Sequence, residues 1–188
     1  MFASRIASEA GGAIALDVAG KVQLGSPDSA ITFKSDPGRG IFSASQGDIS
    51  VVAGSDINVQ DSRIASYDGG NILVRSANGN VNAGDGRVDT QTVTQYRVDP
   101  VSGAVQRLTR VIPGSGILAT TFPDSPNNRV GDITIETPRG NIAAGAGGVV
   151  QVNLSDRPAP GGTVSLVAGS EAAGAVVARG DINVAGSG

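Results

Sequence analysis

The feature that most constrains this chain is a tripeptide of the form Gly-(Asp/Asn)-(Ile/Val). It occurs at Gly47-Asp48-Ile49, Gly70-Asn71-Ile72, Gly79-Asn80-Val81, Gly131-Asp132-Ile133, Gly140-Asn141-Ile142 and Gly180-Asp181-Ile182. Looser copies stand at Gly12-Ala13-Ile14, Gly20-Lys21-Val22, Ser55-Asp56-Ile57 and Gly162-Thr163-Val164. Their apolar residues fall in pairs eight or nine apart, as in Ile14/Val22, Ile49/Ile57, Ile72/Val81 and Ile133/Ile142, and Ile49 precedes Ile72 by 23 residues. Self-similarity at such a period marks a solenoid, with one coil of roughly 20 to 24 residues.

After each tripeptide the pattern alternates, as in Ile49-Ser50-Val51, Ile72-Leu73-Val74, Ile133-Thr134-Ile135 and Val164-Ser165-Leu166. Period two with one apolar face predicts short β-strands. Such strands cannot bury a face alone and need like neighbours stacked above and below. Glycine at the head of each unit is expected to supply positive φ at a corner, and Asp or Asn to tolerate a left-handed conformation and bond its own turn. Gly47, Asp48, Gly70, Asn71, Gly79, Asn80, Gly131, Asp132, Gly140, Asn141, Gly180 and Asp181 are therefore read as coil corners rather than as ligands. The fold class predicted is all-β, a right-handed parallel β-helix with an inserted β-hairpin.

Composition narrows the chemistry. The 188 residues include 28 glycines but no His, Cys or Trp, so thiolate nucleophiles, disulfides, Cys/His zinc sites and Ser-His-Asp triads are unavailable. A net charge of −3 gives no electrostatic footprint for nucleic acid. No run approaches the 18 or so apolar residues of a membrane span, and Met1 to Leu16 does not read as a signal peptide. Neither a cofactor nor a metal is expected: Gly84-Asp85-Gly86-Arg87-Val88-Asp89 approaches a calcium repeat only once, with an arginine between its carboxylates.

The repeat lapses between residues 88 and 130, which divides the chain into coils at 1–87, an insertion at 88–130 expected to project from the solenoid, and coils again at 131–188. Thr90 to Val98 and Ala104 to Ile112 read as two strands around the reversal Asp99-Pro100-Val101-Ser102-Gly103, with Ile117 to Phe122 as a third strand. Insertions in solenoids often carry recognition, so Tyr96, Arg97, Arg107 and Arg110 are the candidate contact surface. Met1 to Glu9 reads as at most one short amphipathic turn, and neither end shows the cap that a free β-helix needs. The ends are expected to stack on other copies or on neighbouring repeats of a longer chain.

The units Gly47 to Val59 and Gly131 to Ile142 resemble the repeats of filamentous haemagglutinin-like exoproteins, which are secreted across the bacterial outer membrane by two-partner secretion. The likeness covers most of the chain except the insertion. It implies a right-handed parallel β-helix in a large surface-exposed or released fibrous protein, commonly an adhesin, located at the cell surface or outside the cell. The expected function is thus structural and adhesive rather than enzymatic, in a rod of some six or seven coils about 30 Å long. Self-association is the expected partnership, with host-cell or surface glycans as further candidates. The alternative is a carbohydrate-binding or polysaccharide-degrading β-helix enzyme, for which Asp85, Arg87 and Asp89 form the one local cluster and for which aromatic stacking platforms are scarce.

Overall fold

The computed structural model of the chain describes residues 5–25, 39–84, 90–125, 127–158, 162–171 and 182–183. Those residues form seventeen strands and no helix. Fifteen strands lie in three five-stranded sheets, and the remaining two, β10 (Thr90–Val98) and β11 (Val105–Pro113), form an antiparallel hairpin. The first sheet contains β1 (Arg5–Ser8), β4 (Gly40–Ser43), β7 (Arg63–Tyr67), β12 (Gly116–Thr120) and β15 (Val149–Val152), in that order. The second contains β2 (Ile14–Val18), β5 (Ile49–Ala53), β8 (Ile72–Ser76), β13 (Ile133–Thr137) and β16 (Val164–Ala168). The third contains β3 (Val22–Gln23), β6 (Ile57–Asn58), β9 (Val81–Asn82), β14 (Ile142–Ala143) and β17 (Ile182–Asn183).

Every pairing within the three sheets is parallel, and the chain visits the sheets in strict rotation. This is a parallel β-helix of five three-sided coils, with the hairpin inserted between the third and fourth. The register places Ile14, Ile49, Ile72, Ile133 and Val164 in one column and Val22, Ile57, Val81, Ile142 and Ile182 in another, so the tripeptide's apolar residue marks the same rung on every turn. Inside the column, Ile49, Val51, Ile57, Ile64, Ile72, Val74, Ile133 and Ile135 are buried in one continuous aliphatic core. Each such side chain contributes about 1.5–3 kcal/mol by leaving water, which is what short strands lack singly and gain by stacking.

Several expectations need correction. Five coils are described, rather than six or seven, and coil length varies widely: equivalent corner residues are 23 apart at Asp48 and Asn71, 31 at Asp132 and Thr163, and 61 at Asn71 and Asp132, where the hairpin intervenes. Arg5–Ser8 is a coil strand, not a helical turn, and pairs with β4. The strand after the hairpin, β12, pairs with β7 and β15, so the solenoid resumes at Gly116 and the interval 88–130 takes in one coil strand.

The corner glycines also owe their identity to a different cause. Gly47, Gly70, Gly79, Gly131 and Gly140 do not have positive φ. A Cβ at Gly131 would lie 1.8 Å from the Gly70 carbonyl oxygen, one at Gly70 would lie 2.2 Å from that of Gly47, and one at Gly140 would lie 2.1 Å from that of Gly79. Successive coils touch backbone to backbone here, and only a residue without a side chain fits.

The corner Asx residues bond across coils rather than within their own turns. Asp48 Oδ1 accepts the amide of Asn71 at 2.7 Å, Asn71 Oδ1 accepts that of Asp132 at 3.0 Å, and Asp132 Oδ1 accepts that of Thr163 at 2.7 Å. A second ladder runs from Asp56 to Asn80 at 2.7 Å and from Asn80 to Asn141 at 2.9 Å. Hydroxyls close the same corners: Ser76 Oγ accepts the Gly79 amide at 3.0 Å and donates to the Ser55 carbonyl at 2.8 Å, and Thr137 Oγ1 donates to the Gly79 carbonyl. Gly180 and Asp181 lie outside the described residues.

Candidate functional site

The hairpin lies on the solenoid instead of projecting from it. Strands of the second sheet alternate buried and partly exposed residues, but β4, β7 and β12 of the first are buried throughout, because the hairpin covers their outer face. Val93 and Ile112 of the hairpin pack with Phe42, Ala44, Ala65, Tyr67, Leu118 and Phe122 in a second core. The Tyr96 amide donates to the Glu9 carbonyl of the first coil at 2.8 Å, so the hairpin bridges coils far apart in sequence.

Polar groups fix this docking. Asp68, fully buried and at φ 63°, accepts Gln95 Nε2 of the hairpin at 2.8 Å through one oxygen and the Phe122 amide at 2.9 Å through the other. Its own amide donates to the Thr120 carbonyl at 2.8 Å. Asp and Asn are among the few residues that tolerate this backbone conformation. Tyr67 stacks on Phe122 with ring centroids 5.2 Å apart, and the Arg110 guanidinium lies 5.2 Å from the Phe122 centroid. Behind Tyr67, the buried Arg63 donates from Nη1 to the phenol oxygen at 3.1 Å. Burial pushes the Tyr67 phenol above its ordinary pKa, outweighing the positive charge and hydrogen bond of Arg63, so the hydroxyl stays neutral.

The four candidate contact residues divide into two pairs. Arg97 and Arg110 face the solenoid and converge on Asp124: Arg110 Nη2 donates to Oδ2 at 2.6 Å, and Arg97 lies 3.6 Å from the same carboxylate and donates to the Asp124 carbonyl at 3.3 Å. Burial works against charge on Asp124, but the Arg110 hydrogen bond and the positive charges of Arg110 and Arg97 together hold its carboxyl below the usual carboxylate range. Tyr96 and Arg107 stand opposite each other in the hairpin register and face outward. The outward face therefore comprises Thr92, Thr94, Tyr96 and Val98 on β10 and Val105, Arg107, Thr109 and Val111 on β11.

The reversal between the strands is held by Asp99, whose Oδ1 accepts the amides of Val101 and Ser102 at 2.9 and 2.7 Å and the Ser102 hydroxyl at 3.0 Å. These bonds lower the Asp99 pKa. Sequence reasoning missed Asp68, Tyr67, Phe122 and Asp124; the last two adjoin a Pro-rich stretch that reads as an ordinary loop.

A shallow groove of about 420 Å³ runs across the corner of the second sheet, lined by Asp48, Ser50, Asn71, Leu73, Asp132 and Thr134 among others. Its Asx side chains each spend one oxygen on the interstrand ladder. The Asp85, Arg87 and Asp89 cluster lies outside the described residues. Among the described residues no helix is long and apolar enough to cross a membrane.

No curated protein and no solved structure matches the chain. The family model described as "Filamentous haemagglutinin family outer membrane protein" matches residues 69–157. That stretch runs from the end of β7 through the hairpin and into the fifth coil, so it includes the insertion that the likeness of the repeats leaves out. The resemblance to filamentous haemagglutinin-like proteins carried by the Gly-Asx-Ile repeats is thereby borne out, and the match supports a surface, adhesin-like role at a coarse level.

Proposed function

We propose that the chain is a segment or subunit of an extracellular bacterial surface fibre, acting as a rod that presents the docked hairpin to a surface. One observation carries this reading: the column Ile14, Ile49, Ile72, Ile133 and Val164 holds its register through coils of very different lengths. The connections between strands differ in length from coil to coil while the stack keeps its register. A stack of this kind grows by about 4.8 Å per coil, so reach is obtained by repetition alone. In this reading the chain performs no catalysis, and its work is geometric.

Among the described residues, no strand pairs on the outer sides of β1, β2 and β3 or of β15, β16 and β17. Ile14, Leu16 and Val18 at one end and Leu166 and Ala168 at the other are only partly buried against the core. Neighbouring repeats of a longer chain, or the coils of another copy, would complete those faces. Host-cell or surface glycans are the adhesive partners in this reading.

Atomic force microscopy of the purified chain, together with attachment of chain-coated beads to epithelial cells and glycan arrays, tests the proposal. Rods whose beads attach are the expected result. Particles no longer than one five-coil stack, about 24 Å, would remove end-to-end growth of a fibre from this chain, and rods whose beads attach no better than uncoated ones would remove the adhesive role.

A further inference from the structure

In an antiparallel pair, alternate residues exchange hydrogen bonds and the others turn their N–H and C=O groups outward. The Asp99 amide donates to the Ala104 carbonyl at 2.9 Å, which fixes the phase of the hairpin. The outward-turned pairs are then Val98 with Val105, Tyr96 with Arg107, Thr94 with Thr109, and Thr92 with Val111. On β10 this edge is in use, since the Tyr96 N–H reaches Glu9 of the solenoid. On β11 the matching groups of Val105, Arg107, Thr109 and Val111 meet no strand among the described residues.

The side chains along that edge are as unusual as its backbone. Val105 and Val111 are 67% and 69% exposed, and with Val98 and Val101 they account for most of the large apolar side chains open to water among the described residues. A long strand edge carrying exposed β-branched residues is a template for another strand.

We infer that the β11 edge is a self-association site, at which β11 of a second copy of this chain adds antiparallel to form a continuous sheet, β10-β11-β11-β10. A second copy suits this edge because it offers the same bare N–H and C=O groups in the opposite direction, and the charge pattern narrows the register. With a two-fold axis through Thr109, Thr109 pairs with its own counterpart and Arg107 lies opposite Val111 of the second copy, where its aliphatic stem covers the valine. No like charges face each other. An axis through Arg107 would set two guanidinium groups opposite, which is unfavourable. Pro113 has no N–H, and by the two-fold symmetry the prolines of the two copies end the ladder at both sides. This contact is lateral, and it is independent of the coil ends and of the adhesive reading.

Sedimentation of the full chain across a concentration series, with the variant Thr109→Lys, tests the inference. Thr109 is exposed, so lysine leaves the hairpin's own bonds intact while opposing two charges on the axis. The expected result is a dimer whose dissociation constant rises about tenfold or more in Thr109→Lys and little in Thr109→Val. Because the chain has no cysteine, a spin label on Thr109→Cys should report a short label-to-label distance, and one on Val101→Cys a much longer one. A monomer at every concentration would overturn the inference. So would a dimer that Thr109→Lys leaves unchanged, which would place the contact at the coil ends.

Discussion

Asp68 and Gln95 are 27 residues apart and 2.8 Å from one another, the carboxylate buried at the end of β7 and the amide buried on the inner face of β10. Through its other oxygen Asp68 also holds the Phe122 amide, so a single side chain joins the third coil, the hairpin and the loop that follows β12 within the fourth coil. A side-chain anchor of this kind adds to the backbone contact that the Tyr96 amide makes with Glu9.

Replacing Asp68 by alanine strands two buried donors and places a poorly tolerated residue at φ 63°. A loss of about 3 kcal/mol in chemical denaturation is expected, given about 1.5–3 kcal/mol for each hydrogen bond to a charged group and incomplete relaxation. Asp68→Asn keeps an acceptor and the left-handed conformation and should recover more than half of that loss. Hydrogen exchange of the β10 and β11 amides in Asp68→Ala should rise well before that of β5 and β8, since the solenoid core is separate.

The glycines offer a graded series. A Cβ at Gly20 meets nothing within 4 Å, whereas one at Gly131 would lie 1.8 Å from a backbone oxygen that cannot swing aside. Gly20→Ala should change stability by no more than about 0.5 kcal/mol. Gly131→Ala should cost about 3 kcal/mol or more, as it must push two coils apart. Equal effects at the two sites, measured by urea titration, would mean that conformational freedom rather than coil contact governs the corner glycines.

Two of the three faces of the solenoid were legible in the sequence, and the third was not, for a physical reason. Sheets that face water on one side write an alternating pattern, as Ile49-Ser50-Val51 does, and the Gly-Asx head marks where each coil turns close upon the last. The first sheet is covered on both faces, so β7 reads Arg63-Ile64-Ala65-Ser66-Tyr67, with no alternation of polarity and no tripeptide before it. Its arginine is buried and donates to the Tyr67 phenol, whose ring stacks on Phe122, a partner far along the chain. The hairpin itself was legible from its turn and β-branched strands. That Arg97 and Arg110 would turn inward was not, because their partner Asp124 lies in a loop whose position depends on the fourth coil.

Phe122 lies between Tyr67 and Arg110 and is almost fully buried. Phe122→Ala should cost about 3–5 kcal/mol, the usual range for emptying a buried aromatic site. Phe122→Leu should recover much of the volume but not the ring contacts with Tyr67 and Arg110. Near-ultraviolet circular dichroism would follow Tyr67 directly, because its signal depends on the fixed stacking partner. An unchanged tyrosine signal in Phe122→Ala would show that Arg63 alone orders the ring.

Acid should loosen the hairpin before the solenoid. The Asp124 carboxyl is held below its ordinary pKa in the folded chain, since the Arg110 bond and the two arginine charges outweigh its partial burial. A depressed folded pKa contributes stability above the unfolded value of about 3.9, and that contribution is lost as pH falls through the folded value. Asp99 behaves likewise at the hairpin turn, where the Ser102 and Val101 bonds favour its charged form. Both groups are substantially exposed to solvent, so each effect is modest, and salt should weaken the Asp124 contribution further. Exchange protection of β10 and β11 should therefore decline below about pH 4 while that of β5, β8 and β13 persists, the core of those strands being aliphatic. Asp124→Asn should begin from lower protection at neutral pH and lose less on acidification. If it matches the parent chain at both pH values, the Arg97–Asp124–Arg110 cluster contributes nothing to docking, and the hairpin is held by Asp68 and the apolar contacts alone.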